Sequence, residues 1–226
     1  ISMTHVIHEN RGTIDKYMGD AIMAFWGAPL DDPNHAQRAV KAGLEMIGAM
    51  KDLRTEFKKR GWPEINIGVG LNTGTMNVGN MGSEFRLAYT VLGDAVNLGA
   101  RLEGLTKSYG VQIMISEYTQ AAVPDIACRE LDKVRVKGKG VPVIILEPIG
   151  VRDELDAQTQ KSLDDYHATL ALYREQKWDE AEAGFNALRA NDPDQMLYEL
   201  YLDRISHFRE EPPGDNWDGV YTHTSK

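Results

Sequence analysis

The chain has 226 residues, 42% of them hydrophobic and 26% charged, which is typical of a globular protein with a sizeable core. Its 25 basic and 34 acidic side chains give a net charge of −9, which argues against a broad nucleic-acid-binding face. The single cysteine, Cys128, excludes an internal disulfide and favours a reducing compartment. No apolar run reaches the roughly 18 residues needed to span a bilayer, so we expect no membrane contact by this fragment.

The first half of the chain alternates strand and helix patterns. Apolar residues at helical spacing predict two amphipathic helices, and short alternating segments bounded by Gly, Asn and Asp predict strands. A Gly-rich stretch too long for a plain turn predicts an extended arm or long hairpin. In chain order these are a hairpin over 13–26 turning at Gly19 and Asp20, a helix over 34–60, a strand over 65–71, the arm over 72–89 and a helix over 93–109.

The second half changes character near residue 150. Before that point we predict a strand over 111–115, a helical piece over 117–122 and a hairpin over 128–147, so residues 1–148 are α+β or α/β. Residues 149–226 show no strand signal. Ala181, Phe185, Leu188 and Pro193 have the spacing of a tetratricopeptide second helix, which predicts an all-α extension. We expect it to pack on the first domain or lead to a partner, and to end in a loose tail from residue 212.

Taken singly, the polar candidates have ordinary structural interpretations. Asp20 is suited to a turn, Asn97 and Arg101 to a helix surface pair, and Lys137 to a solvated hairpin. The usual signatures are missing as well, since the chain has no P-loop, no Cys-x-x-Cys pair and no Gly-x-Ser-x-Gly elbow.

Four segments, taken together in their order along the chain, are more informative than any single residue. They are Thr-Ile-Asp-Lys-Tyr-Met-Gly-Asp-Ala-Ile-Met-Ala from Thr13, Gly-Val-Gly-Leu-Asn-Thr-Gly from Gly68, Tyr-Thr-Val-Leu-Gly-Asp-Ala-Val-Asn-Leu-Gly-Ala-Arg-Leu from Tyr89, and Val-Lys-Gly-Lys-Gly from Val136. In this order and at these separations they resemble the class III nucleotidyl cyclase catalytic domain, over about residues 1–148.

The resemblance implies an α+β fold, with a mostly antiparallel central sheet flanked by helices. It also implies an enzyme that converts ATP into cyclic AMP and pyrophosphate at sites between the two copies of a homodimer. Because ATP is the implied substrate, the domain is expected in the cytoplasm, even where the full-length protein is membrane-anchored or carries an upstream sensor domain.

Site residues follow from the resemblance position by position. Asp20 corresponds to one of two carboxylates that hold a pair of Mg²⁺ or Mn²⁺ ions. These ions would ease ionisation of the ribose 3′-hydroxyl and neutralise the leaving pyrophosphate. Lys16 and Thr90 correspond to the two positions that recognise the purine. A lysine is a donor only, which suits adenine N1, and a threonine hydroxyl can accept from the adenine amino group.

The remaining family positions concern the phosphates and the ribose. Asn97 and Arg101 correspond to the helix pair that orients the ribose and stabilises charge on the α-phosphate. Lys137 corresponds to the lysine that binds the terminal phosphates. Thr90, where most adenylyl members have Asp, resembles a bacterial-type subgroup reported to respond to bicarbonate.

One family element has no counterpart in this sequence. The strand that carries the other metal carboxylate would precede the Gly19-Asp20 turn, and none of the first 19 residues resembles it, so we expect that the beginning of the domain has been cut away. Two alternatives stay open. One is a catalytically inactive nucleotide-sensing module on the same fold, and the other is a helical-repeat scaffold whose front domain merely dimerises.

Overall fold

The computed structural model of the chain describes residues 2–84, 86–136 and 140–223. These residues form two compact units. The N-terminal unit comprises the residues up to Thr106 together with Gln112–Pro124, and the C-terminal unit comprises Lys107–Val111 and the residues from Asp125 onward. Within the described part of the chain, no helix is long and apolar enough to cross a bilayer.

The N-terminal unit contains most of the predicted elements. A seven-residue opening helix is followed by a hairpin, a long helix, three strands, the second long helix, and a short strand and helix. They are α1 (Met3–Glu9), β1 (Thr13–Met18), β2 (Ala21–Phe25), α2 (His35–Lys59), β3 (Val69–Leu71), β4 (Asn77–Ser83), β5 (Arg86–Leu92), α3 (Asp94–Tyr109), β6 (Ile113–Ser116) and α4 (Glu117–Ala122). The last three residues of α3 belong to the C-terminal unit.

Helices α1 and α2 form a hydrophobic core with the β1–β2 hairpin. Val6 and Ile7 on α1 and Ala42 and Met46 on α2 are buried together, and apolar side chains of the hairpin pack against them. Gly43 lets α2 approach the sheet closely, since a Cβ there would lie 2.6 Å from the Ile113 side chain. The amphipathic pattern that predicted α2 therefore reflects real burial of one helix face.

Antiparallel strand pairs predominate in the N-terminal unit. Strand β1 pairs with β2 and β4 pairs with β5, both antiparallel, whereas β3 and β6 form a parallel pair. The predicted long arm is the β4–β5 hairpin, which extends to Leu92. The predicted strand over 65–71 is shorter, because only Val69–Leu71 pair with β6. Strands and helices together confirm the α+β prediction.

The C-terminal unit combines a hairpin with helices. Its elements are β7 (Ile126–Arg135), β8 (Val143–Val151), a 3₁₀ turn (Arg152–Glu154), α5 (Ala157–Arg174), α6 (Trp178–Asn191), α7 (Met196–Glu210) and β9 (Tyr221–Thr222). The β7–β8 pair is antiparallel. The all-α extension predicted from residue 149 thus forms one compact unit with the hairpin before it. On strand β7 of this unit, burial raises the pKa of the Cys128 thiol to about 11.

The prediction of a loose tail from residue 212 was wrong. Tyr221 and Thr222 form β9, which pairs in parallel with Val134 and Arg135 of β7. Trp217 lies between helices, with its ring centroid 5.4 Å from that of Tyr173. A two-residue strand and a single tryptophan leave almost no periodic pattern, so sequence analysis could not detect this docking.

Candidate active site

The β1–β2 hairpin presents two of the predicted site residues. Lys16 lies on β1 and is exposed, and Asp20 is exposed at the tight turn to β2. The preceding Gly19 adopts φ +64°, a conformation that favours glycine because a Cβ would be strained there. The turn therefore holds the Asp20 carboxylate in solvent, free to bind a ligand.

A β-bulge interrupts β1 beside Lys16. Ile14 pairs with Ala24 and Lys16 with Met23, so Asp15 is the extra residue without a partner of its own. A bulge of this kind redirects a side chain. Thr90 on β5 donates from Oγ1 to Asp15 Oδ2 over 2.6 Å, and the Val91 backbone N–H points to the same oxygen at 3.4 Å.

Helix α3 carries the other predicted pair. Asn97 and Arg101 are one turn apart and both exposed, whereas Leu98 and Leu102 on the adjoining face are buried. Among the described residues, the Asn97 and Arg101 side chains have no hydrogen-bond partner or ion pair. An amide and a guanidinium that are free on one helix face can both bind an anionic ligand.

The glycine-rich segment from Gly68 fixes α3 against β3. A Cβ at Gly70 would lie 2.3 Å from the backbone nitrogen of Glu103, and a Cβ at Gly74 would lie 2.9 Å from the Ala95 side chain. Asn72 donates from Nδ2 to the Ala95 carbonyl in the first turn of α3, at 2.8 Å. Helix α3 begins only two residues after Leu92, the last residue of β5. The segment thus positions the helix that carries Asn97 and Arg101.

The metal prediction rests on Asp20. Its exposed carboxylate is a hard oxygen ligand of the kind that Mg²⁺ prefers. Within the described ranges, however, no group of three or more His, Cys, Asp or Glu side chains could hold a metal ion. The described residues therefore supply one suitable ligand rather than a complete metal site.

Hydrogen bonding links some of the predicted residues and not others. Lys16 and Thr90 lie near each other through Asp15, which neighbours Lys16 in the chain and bonds Thr90. Within the described ranges, no hydrogen bond or ion pair joins Asn97, Arg101 or Asp20 to them. Lys137 lies outside the described residues, so its predicted role stays a prediction.

Asp15 is the site residue that sequence reasoning missed. It lies inside the segment that carries the resemblance, but the resemblance implies no role for it. Aspartate is depleted in strands, so an Asp in the middle of a predicted strand is a signal of a bulge or a specific partner.

Comparisons with known proteins identify the family of this chain. Residues 2–147 match the family described as the adenylate and guanylate cyclase catalytic domain. The chain is 34% identical over 149 residues to adenylate cyclase 1 of Rhizobium meliloti, covering 66% of this chain and 22% of that protein. It is 40% identical over 157 residues to an adenylate cyclase of Anabaena cylindrica, covering 64% of this chain and 30% of that protein. The chain thus spans less than a third of these relatives.

A solved structure is also similar. The crystal structure of the adenylyl cyclase CyaB from P. aeruginosa shares 36% identity with this chain, with a TM-score of 0.61. The likeness covers 68% of this chain and 80% of that structure.

Proposed function

Because the chain belongs to the class III nucleotidyl cyclases, the family of adenylate and guanylate cyclase catalytic domains, we propose that it is an adenylyl cyclase domain. The reaction joins the ribose 3′-oxygen of ATP to the α-phosphorus and breaks the bond from that phosphorus to the bridging oxygen. Cyclic AMP and pyrophosphate are the products, and the 3′-hydroxyl proton is released.

The choice of ATP over GTP rests on Lys16 and Thr90, since the family includes both kinds of enzyme. The Lys16 ammonium is exposed and only donates, which matches adenine N1 and opposes the N1–H of guanine. Thr90 lies on the neighbouring strand β5 with its hydroxyl proton already given to Asp15. The observation that carries the proposal is this pairing of a donor-only and an acceptor side chain within one small region.

Residues on α3 and on the hairpins would bind the ribose, the phosphates and the metal ions. Arg101 would stabilise charge on the α-phosphate and Asn97 would orient the ribose, as their free, exposed side chains allow. Lys137 would bind the terminal phosphates. Asp20 would contribute to holding two Mg²⁺ or Mn²⁺ ions, which when bound supply charge neutralisation at the phosphates and a lower barrier to ionising the hydroxyl.

The site is proposed to form between two copies of the chain. Large apolar side chains are exposed by 39% to 61% on three strands, namely Tyr17 and Met18 on β1, Val78 on β4 and Leu92 on β5. Strand β1 also carries Lys16, and β5 also carries Thr90. Apolar groups clustered around a polar site favour a protein interface. A two-fold axis would create two equivalent sites. As an ATP-consuming domain, it would face the cytoplasm.

The test is production of cyclic AMP from ATP by the purified full-length protein, with Mn²⁺ present. We expect turnover with ATP and a lower kcat/KM with GTP. Nucleotide binding without turnover would instead favour an inactive sensing module, and the absence of both would favour a helical scaffold.

A further inference from the structure

We infer that Asp15 is a specificity-determining positioning residue, which fixes the polarity of the Thr90 hydroxyl so that it can only accept a hydrogen bond from the base. The inference rests on the proposed function and deepens it. It names a side chain that would not touch the nucleotide and would act through Thr90.

A threonine hydroxyl has one proton to donate and two lone pairs to accept with. Thr90 donates that proton to Asp15 Oδ2 over 2.6 Å, a short distance of the kind seen when the acceptor is ionised. An ionised carboxylate has no proton to return, so the direction of this bond cannot reverse. What Thr90 offers to a ligand is therefore its lone pairs alone.

The two purines differ at the atom where this matters. Adenine carries an amino group at C6, which donates, whereas guanine carries a carbonyl oxygen there, which accepts. A hydroxyl held as an acceptor can bond the adenine amino group, but it repels the guanine carbonyl oxygen. A freely rotating hydroxyl could serve both, so threonine without Asp15 would be a poor discriminator.

Two further features of the strands support this arrangement. The bulge at Asp15 breaks the alternation of β1, and the Val91 N–H at 3.4 Å helps to hold the carboxylate in place. Opposite Thr90 on β4 is Gly79, and directly opposed residues share one face of an antiparallel pair. A Cβ at Gly79 would meet no described atom within 4 Å, so space is open beside Thr90, which is 8% exposed.

A purely structural role is the competing explanation. A buried threonine hydroxyl needs some partner, and any acceptor would satisfy it. The two explanations differ in what they predict for base choice, because a structural bond affects ATP and GTP alike.

The experiment measures kcat/KM for ATP and for GTP on the full-length protein and takes their ratio. This ratio is independent of the fraction of folded enzyme, since the same molecules turn over both nucleotides. Asp15→Ala removes the acceptor, and we expect the ratio to fall at least about fivefold. Asp15→Asn keeps a carbonyl oxygen that the Thr90 hydroxyl and the Val91 N–H can both reach, so it should hold the ratio within about twofold.

A second pair of variants tests whether Asp15 acts through Thr90. Thr90→Val removes the hydroxyl and should itself lower the ratio, and Asp15→Ala added to Thr90→Val should change it no further. Asp52→Asn, an exposed carboxylate on α2, is the control and should leave the ratio unchanged. For any variant too slow to assay, competition between ATP and GTP for binding gives the ratio of their dissociation constants, which should change in the same direction.

The outcomes separate this inference from the proposed function. An unchanged ratio in Asp15→Ala, or an equal effect of that change with and without the Thr90 hydroxyl, would overturn the inference while an ATP-specific cyclase remained. A parent protein without any preference for ATP would overturn both.

Discussion

Gly70 on β3 lies directly against Glu103 on α3, so closely that a Cβ on the glycine would be 2.3 Å from the Glu103 backbone nitrogen and 2.6 Å from the Gly99 carbonyl oxygen. Both atoms are backbone and cannot move aside alone. The Gly70→Ala variant must therefore shift α3, at a cost of about 1–3 kcal/mol or more in the free energy of unfolding. Because α3 carries Arg101, kcat should fall as well.

The control for this variant is Gly104→Ala on the same helix. A Cβ at Gly104 meets no described atom within 4 Å, and alanine is favoured over glycine within helices by about 1 kcal/mol. Urea unfolding and a cyclase assay on both proteins make the comparison. Equal stability and equal kcat in the two variants would show that the close approach of β3 does not position α3.

Asp132 on β7 is a buried charge surrounded by donors. It is 1% exposed and accepts from the Tyr109 hydroxyl at 2.5 Å and from Arg204 Nη2 at 2.8 Å. Burial by itself would lower the pKa of Arg204, but the Asp132 carboxylate raises it overall. Burial, together with the same carboxylate, raises the pKa of Tyr109 far above its ordinary value.

Asp132→Asn should therefore be strongly destabilising. It leaves the Arg204 cation buried without a counter-charge, which costs about 3–5 kcal/mol. The matched change Asp165→Asn removes an exposed partner of Lys161 and should cost no more than about 1 kcal/mol. Urea midpoints followed by tryptophan fluorescence measure both. If the two variants unfold at the same urea concentration, Asp132 does not stabilise the C-terminal unit.

Sequence patterns predict the local elements of this fold but not the hydrogen bonds between distant residues. Helices α2 and α3 and the β1–β2 hairpin were predictable because their apolar spacing and turn residues are local. The partners of Asp132 come from residue 109 and residue 204, and no local pattern links positions so far apart. The Asp15–Thr90 bond likewise joins residues 75 positions apart. The resemblance supplied the residue types of the site, whereas their hydrogen-bond partners required the structure.

His167 on α5 makes stability depend on pH. Its Nε2 accepts from the Glu130 backbone N–H at 3.1 Å, and burial lowers its pKa below the ordinary 6.5. The unfolded chain therefore takes up a proton before the folded chain does. Stability from this group is complete above about pH 6.5 and is lost as the pH falls through the folded pKa.

The variant His167→Gln isolates this effect, since its carbonyl can accept the same bond but cannot titrate. The stability of the parent chain minus that of the variant should fall between about pH 7 and pH 5, measured by urea unfolding at each pH. Other histidines titrate equally in both proteins and cancel. A difference that stays constant across this range would mean that the bond to Glu130 is indifferent to protonation of His167.

Base choice should change when both purine contacts are exchanged. Lys16→Glu replaces the donor to adenine N1 with an acceptor for the guanine N1–H, and Thr90→Cys replaces the hydroxyl acceptor with a thiol that accepts only weakly. An unpaired buried polar group costs about 1–3 kcal/mol. We expect kcat/KM to fall for ATP and to rise for GTP. The measurement is cyclic nucleotide production from each substrate. A double variant that keeps the parent's preference would show that other side chains recognise the base.

We propose that the cyclase site is shared between two copies of this chain, with Asp20 from one copy and Arg101 from the other. Asp20→Ala and Arg101→Ala should each abolish activity, since one removes a metal ligand and the other removes charge stabilisation at the α-phosphate. In a mixed dimer both changes fall in one site, and the second site is intact.

The most direct test is to unfold the two inactive full-length proteins, refold them together and measure cyclic AMP formation. Half of the dimers are then mixed, with one working site of two, so roughly a quarter of the parental activity should return. That activity should fall again on dilution, as the dimers dissociate. No recovery, despite mixed dimers demonstrated by differently tagged subunits, would place Asp20 and Arg101 in the same site from one chain and contradict a site shared between two copies.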